Sequence, residues 1–181
     1  MIRVALWLLG GLLLGGVVHL ASILLLPATA TQDAYARLAP SAPVNTVVPL
    51  APPSGEDAVM PFMDPAFAAA VCRYDLGDGA MKFSVPVSQA YTSVSFYTRN
   101  GVAYYAINDR AAGKRVIELD LMTRQQREDL PDDEDLTAAD RLIVESPTLT
   151  GLILVRALSA EPGQMRMARA ALAQAKCTVQ Q

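Results

Sequence analysis

The chain has 181 residues, 52% of them hydrophobic, and a formal net charge of −3. That length supports one core of ordinary domain size. The mild negative balance, with no basic block anywhere along the chain, excludes a nucleic-acid partner.

The first predicted element is a membrane segment. Residues 4–26 read VALWLLGGLLLGGVVHLASILLL without a formal charge, and at about 1.5 Å per residue they cross a hydrocarbon core of roughly 30 Å. Residues 1–26 are therefore expected to be an N-terminal signal-anchor held in the lipid bilayer. The alternative is a cleaved signal peptide. Ala28, Thr29 and Ala30 fit a small-x-small cleavage pattern, although signal cores run only about 7–15 apolar residues. The α-amino group and Arg3 keep Met1 in the cytoplasm by the positive-inside rule. Residues 27–181 are then periplasmic, beyond a bacterial inner (cytoplasmic) membrane crossed once. They carry 14 of the 15 Lys and Arg and all 18 Asp and Glu, a net charge of −4.

Within the anchor, Gly11, Gly15, His19 and Ser22 fall at helical spacing and form one stripe that begins with a GxxxG pair. Small residues permit close helix approach, and a histidine facing lipid is costly, so this stripe is a candidate contact with a membrane partner. The competing reading is incidental glycines and a histidine near the outer interface.

Residues 27–63 read as a Pro-rich stalk, broken by a helical turn or two at 31–38. Pro27, Pro40, Pro43, Pro49, Pro52, Pro53 and Pro61 fall in it, with Pro65 just beyond. Such a segment favours extended conformers that hold a domain off the bilayer. The exported domain is expected over 64–181. Asp64 as N-cap and Pro65 in the first position predict a short helix through AFAAAVC that carries Cys72.

From residue 73 the hydrophobic period becomes alternating, which predicts strands at 80–87, 115–122, 141–145 and 151–158 and a hairpin over 91–109. A type I′ turn at Asn100-Gly101 pairs Arg99 with Val102, Tyr97 with Tyr104 and Phe96 with Tyr105. One face of the hairpin is then Val94, Phe96, Tyr105 and Ile107, directed at the core. Tyr91, Ser93, Ser95, Tyr97, Tyr104 and Asn108 form the other. Residues 161–177 return to helical period, with Ser159 as cap, Pro162 in the first turn, and Met165, Ala168, Leu172 and Ala175 along one side. The expected fold is an N-terminal transmembrane helix plus an α+β exported domain: an antiparallel β-sandwich-like sheet with a short helix before it and a C-terminal helix after.

Cys72 and Cys177 both lie in the exported part and would pair in an oxidising compartment. The bridge would close a loop of about 105 residues and contribute roughly 4–5 kcal/mol in the chain-entropy model. Two buried free thiols are the alternative.

The only histidine, His19, is in the membrane segment. The exported domain therefore has no Ser-His-Asp or Cys-His pair and no imidazole metal ligands. No cofactor or metal is expected. Paired-carboxylate catalysis stays open in principle. Tyr91, Tyr97 and Tyr104 make a candidate ligand platform with Asn108 and Arg110 as a polar rim, because tyrosine offers apolar area with a hydrogen-bonding tip. The plainer alternative is a face packed under another element. The acidic run Glu128, Asp129, Asp132, Asp133, Glu134, Asp135 and Asp140 lacks EF-hand spacing and reads as a solvated loop in preference to a weak cation site.

The ordered blocks TQDAYARL, DPAFAAAVCRYDL, SVSFYTRNGVAYYAINDRAAG and VESP, behind an anchor ending LLLP, carry a resemblance. The chain resembles a bacterial family of small membrane-anchored proteins known as domain of unknown function 1254, over nearly its whole length. The resemblance implies a β-rich envelope protein, often associated with a companion family also of unknown function. It brings no catalytic residues. The first functional reading is a non-enzymatic scaffold or partner-binding envelope component. A saccharide- or lipid-binding module using the tyrosine face is second, and a carboxylate-based enzyme third.

Overall fold

The computed structural model describes residues 1–29, 33–52, 60, 63–112, 115–130 and 142–180. The chain divides into two compact units, Met1–Thr31 and Gln32–Gln181. The first is a single helix, α1 (Ile2–Thr29), whose stretch Ile2–Leu26 is long and apolar enough to cross a membrane, a property that anchors share with signal sequences. Its hydroxyls are satisfied internally: Ser22 Oγ donates to Val18 O at 2.8 Å and Thr29 Oγ1 to Leu25 O at 3.0 Å. Such back-bonding removes the cost of an unpaired hydroxyl in an apolar medium.

The second unit contains α2 (Ala34–Leu38), β1 (Val47–Pro49), β2 (Phe67–Asp75), β3 (Met81–Pro86), β4 (Thr92–Thr98), β5 (Ala103–Asn108), α3 (Asp109–Ala112), β6 (Val116–Thr123), α4 (Arg124–Glu128), β7 (Leu142–Ser146), β8 (Thr150–Leu158), α5 (Met165–Leu172) and β9 (Lys176–Val179). The strands form a five-stranded sheet in the order β1-β2-β8-β4-β5 and a four-stranded sheet in the order β7-β6-β3-β9. All neighbours are antiparallel except β6 and β7.

Period-two alternation explains the core. Met81, Phe83 and Val85 of β3 are buried while Lys82, Ser84 and Pro86 between them are half-buried. They meet Val94, Phe96, Ile153 and Val155 from the five-stranded sheet, with Phe83 and Phe96 edge to face at 6.5 Å between ring centroids. Helix α5 packs on β2 and β8 and adds Ala168 and Leu172 to this core. A disulfide joins Cys72 on β2 to Cys177 on β9, their Cα atoms 6.6 Å apart, and so ties the two sheets together.

Three expectations are corrected. The run after Pro65 is strand β2, where a helix was expected. Asp64 Oδ1 accepts from Ala66 N at 2.9 Å in a tight turn, and the strand follows directly. Alanine's helix preference gives way because β2 is buried on both faces, Ala68, Ala70 and Cys72 toward the sandwich core and Val71 toward a second cluster. The short helix before the sheet is α2, capped by Asp33 Oδ1, which accepts from Ala36 N at 2.7 Å.

Next, residues 33–50 are not a spacer. Tyr35, Leu38 and Ala42 are buried against Val71 and Leu152, and β1 pairs with β2 in the register Val47↔Cys72. Proline rules out long regular elements there but not docking, and Pro49 sits where a donor can be spared, on an edge strand. The rest of the expected stalk, residues 53–59 and 61–62, lies outside the described residues. Finally, the C-terminal helix ends at Leu172, and Cys177 lies on strand β9, opposite Phe83. The β-branched Thr178 and Val179 suit that strand.

Candidate functional site

The predicted tyrosine platform depends on the β4–β5 hairpin. Its lower register is as the sequence predicts, Ser93↔Asn108, Val94↔Ile107 and Phe96↔Tyr105. The tip differs. Thr98 N donates to Val102 O at 2.9 Å and Gly101 N to Thr98 O at 3.0 Å, so Arg99, Asn100 and Gly101 form the loop, with Gly101 at φ +80. That is a type I turn closed by a left-handed glycine in place of a two-residue type I′ turn. Tyr97 then pairs with Ala103, and the register returns through a bulge that leaves Tyr104 as the extra residue.

The bulge splits the platform. Tyr97 packs with Tyr35, Leu38 and Leu152 in the outer cluster. Tyr104 turns inward with Tyr105, the two ring centroids 6.2 Å and 5.9 Å from that of Phe96. Tyr91 precedes the far end of β4, where its carbonyl accepts from Leu158 N at 2.8 Å. Asn108 is a helix cap, its Oδ1 accepting from Ala111 N at 3.0 Å, and Arg110 is exposed on α3. Gly11, Gly15, His19 and Ser22 all lie on α1 and are exposed there. Of the acidic run, Glu128 pairs with Arg124 at 3.0 Å and Asp129 closes α4, while Asp132, Asp133, Glu134, Asp135 and Asp140 lie outside the described residues.

Two side-chain clusters that sequence reasoning missed stand at the end of the sandwich where β2 and β4 finish and β8 begins. In the first, Ser146 Oγ donates to Thr148 O at 2.6 Å. With that proton committed, the Tyr74 hydroxyl shares its own between Ser146 Oγ at 2.9 Å and the Tyr97 carbonyl at 3.3 Å, and Tyr74 Oη in turn accepts from the Tyr104 hydroxyl at 3.2 Å. The result is a relay of hydroxyls crossing from β5 through β2 to the end of β7. Burial raises the Tyr104 hydroxyl above its ordinary pKa of 10.0; the Ser146 hydroxyl opposes that shift and Tyr74 adds to it. Gly151 makes room for the relay, because a Cβ there would lie 2.2 Å from Tyr97 O and 2.3 Å from Tyr74 Oη.

In the second cluster, the guanidinium carbons of Arg73 and Arg99 each lie 4.2 Å from the Tyr35 ring centroid. Cations at that distance are attracted by the ring quadrupole. Arg73 Nη1 donates to Ala42 O at 3.0 Å, and Arg99 Nη1 to Asp33 Oδ1 at 3.0 Å. Beside them Asn45 brackets the Asp75 backbone, donating to its carbonyl at 3.1 Å and accepting from its N–H at 2.8 Å.

These clusters give the sequence blocks a physical meaning. In CRYD, Cys72 bridges the sheets, Arg73 stacks on Tyr35, Tyr74 centres the hydroxyl relay, and Asp75 receives Asn45. TQDAYARL supplies Asp33 and Tyr35, SFYTRNG supplies Arg99, and VESP supplies Ser146. Their chemistry is directed inward: hydroxyls spend their protons on one another and on carbonyls, and arginines stack on a ring. The visible signal was that the blocks carry polar residues inside strands.

An apolar N-terminal helix followed by an antiparallel two-sheet β domain with a C-terminal helix defines the class of protein. The chain belongs to the family described as Protein of unknown function (DUF1254), whose model matches residues 44–179. Among solved structures it is similar in fold to the VPA0106 protein from Vibrio parahaemolyticus, at 12% identity and a TM-score of 0.59, covering 81% of this chain and 34% of that one. It is also similar to a putative uncharacterized protein from Burkholderia cenocepacia, at 17% identity and a TM-score of 0.50, covering 81% of this chain and 38% of that one. The chain thus spans little more than a third of the length of either. No curated protein matches it.

Proposed function

We propose that this protein is a membrane-anchored envelope component that binds a partner protein and catalyses no reaction itself. Helix α1 is the retained anchor in this reading, with Met1 cytoplasmic and the β domain periplasmic. The observation that carries the reading is the length of the similar structures: in both, this fold is about a third of a longer chain, so it is a module built to work beside another folded part. The companion family noted above is the candidate for that neighbouring part. Two further features support a binding role over catalysis. Residues 27–181 contain no histidine, and the polar clusters of the domain are occupied in holding its own strands and loops. The division of Tyr97 and Tyr104 between two packing environments weighs against a tyrosine-lined ligand platform.

The stripe Gly11, Gly15, His19 and Ser22 is the proposed intramembrane part of the contact. Crosslinking in intact membranes tests the reading. One dominant envelope protein captured by the native chain, and markedly less of it with Gly15→Leu, is the expected result. Capture unchanged by Gly15→Leu would remove the stripe from the interface, and no captured protein at all would refute the scaffold.

A further inference from the structure

The strand registers bring several loops to one end of the sandwich. Thr98↔Gly151 and Asp75↔Thr150 place the tip of the β4–β5 hairpin, the turn after β2 and the β7–β8 connection side by side, and Leu76 N donates to Leu149 O at 2.9 Å. Two aliphatic side chains project from this end: Val102 is 58% exposed and Leu149 57%. Each stands on its own loop, so they form projecting tips and no continuous flat patch. The body also begins at this end. Asp33, its first described residue, pairs with Arg99 in the loop at the tip of the hairpin.

We propose that this loop end rests on the lipid–water interface of the membrane, with Val102 and Leu149 entering the headgroup layer. The proposal rests on the anchored reading above. A soft interface accepts separate aliphatic tips one by one, whereas a rigid protein surface would need a matching pocket for each. Asp75 and Asp78 lie at the same end as Arg99, so the contact is apolar in character and shows no preference for anionic headgroups.

The full-length protein in phosphatidylcholine vesicles, with and without phosphatidylglycerol, provides the test. Trp7 is the only tryptophan, so Trp7→Phe gives a silent background for Val102→Trp, Leu149→Trp and a control, Met167→Trp. Met167 is exposed on α5, beyond the opposite end of β8. The two tip probes are expected to shift to the blue and to be quenched by lipids brominated near the headgroup, at a depth of roughly 5–10 Å, while the control is not. Tip probes no more quenched than Met167→Trp would overturn the proposal, and so would a blue shift without lipid quenching, which marks a protein contact. An alkaline wash of the same vesicles reports separately on the anchor: chain that stays with the lipid while its tips are unquenched overturns the lipid contact alone.

Discussion

Replacing Tyr74 by Phe is the sharpest test of the buried hydroxyl relay. Tyr74 is fully buried, and its hydroxyl both donates to Ser146 and accepts from Tyr104. Tyr74→Phe therefore takes from the Tyr104 hydroxyl its acceptor in the relay, leaving only the Ser146 hydroxyl beside it, and removes the donor to Ser146 Oγ and to the Tyr97 carbonyl, while changing the packing volume by one oxygen. An orphaned buried polar group costs about 1–3 kcal/mol. Tyr104→Phe stands at the head of the relay, where the Tyr74 hydroxyl still donates to Ser146, and should cost about 0.5–1.5 kcal/mol. Urea unfolding of the oxidised full-length protein in detergent, followed by circular dichroism, measures both, and the double variant gives their coupling. The double variant should be little worse than Tyr74→Phe alone, since the second hydroxyl has already lost its partner. Equal costs for the single variants, or strictly additive ones, would show that the direction of the relay has been misread.

Gly151→Ala brings a methyl group against Tyr97 O and Tyr74 Oη; overpacking of this kind costs about 1–3 kcal/mol, and a thermal melt unchanged from wild type would contradict the geometry. Cys72→Ala removes the link between the sheets and should lower stability by roughly 4–5 kcal/mol in the chain-entropy model, a loss that reductant reproduces in the native protein but not in the variant. Because the Tyr104 pKa is raised in the folded state, the folded chain holds that proton more tightly than the unfolded one. The stability from this group is complete below the ordinary tyrosine pKa of 10.0 and declines as pH rises above it. Urea midpoints should accordingly fall on the alkaline side, and Tyr104→Phe should flatten that slope.

Hydrophobic period was a sound guide where one face of a strand is buried. It placed β3, β6 and β8 and set Val94 and Phe96 toward the core, where a one-residue slip would expose them. It misled where both faces are covered. The alanine run of β2 has no alternation to read, and its small side chains favour a helix until β1, β8 and the second cluster enclose it. Asn100-Gly101 marked the hairpin correctly, yet a glycine with positive φ serves a three-residue loop as well as a two-residue one, and that single residue moved Tyr104 from the outer face to the core. The stacking of Arg73 and Arg99 on Tyr35 was illegible for a different reason. It joins three distant segments, and no local pattern in any of them announces the other two.

Strand β8 lies at the centre of the five-stranded sheet, with Ala157 opposite Ala68 of β2 on one side and Thr92 of β4 on the other. Its partners are synthesised long before it. The sheet therefore cannot close until the last part of the chain has emerged, and the same delay applies to the bond between Cys72 and Cys177. Such non-local topology folds slowly and leaves apolar strands waiting unpaired. In the anchored reading, a domain exported progressively from residue 27 onward would arrive as two unmatched half-sheets, so its yield in the cell should depend on a chaperone on the far side of the membrane that shields β2 and β4 until β8 arrives.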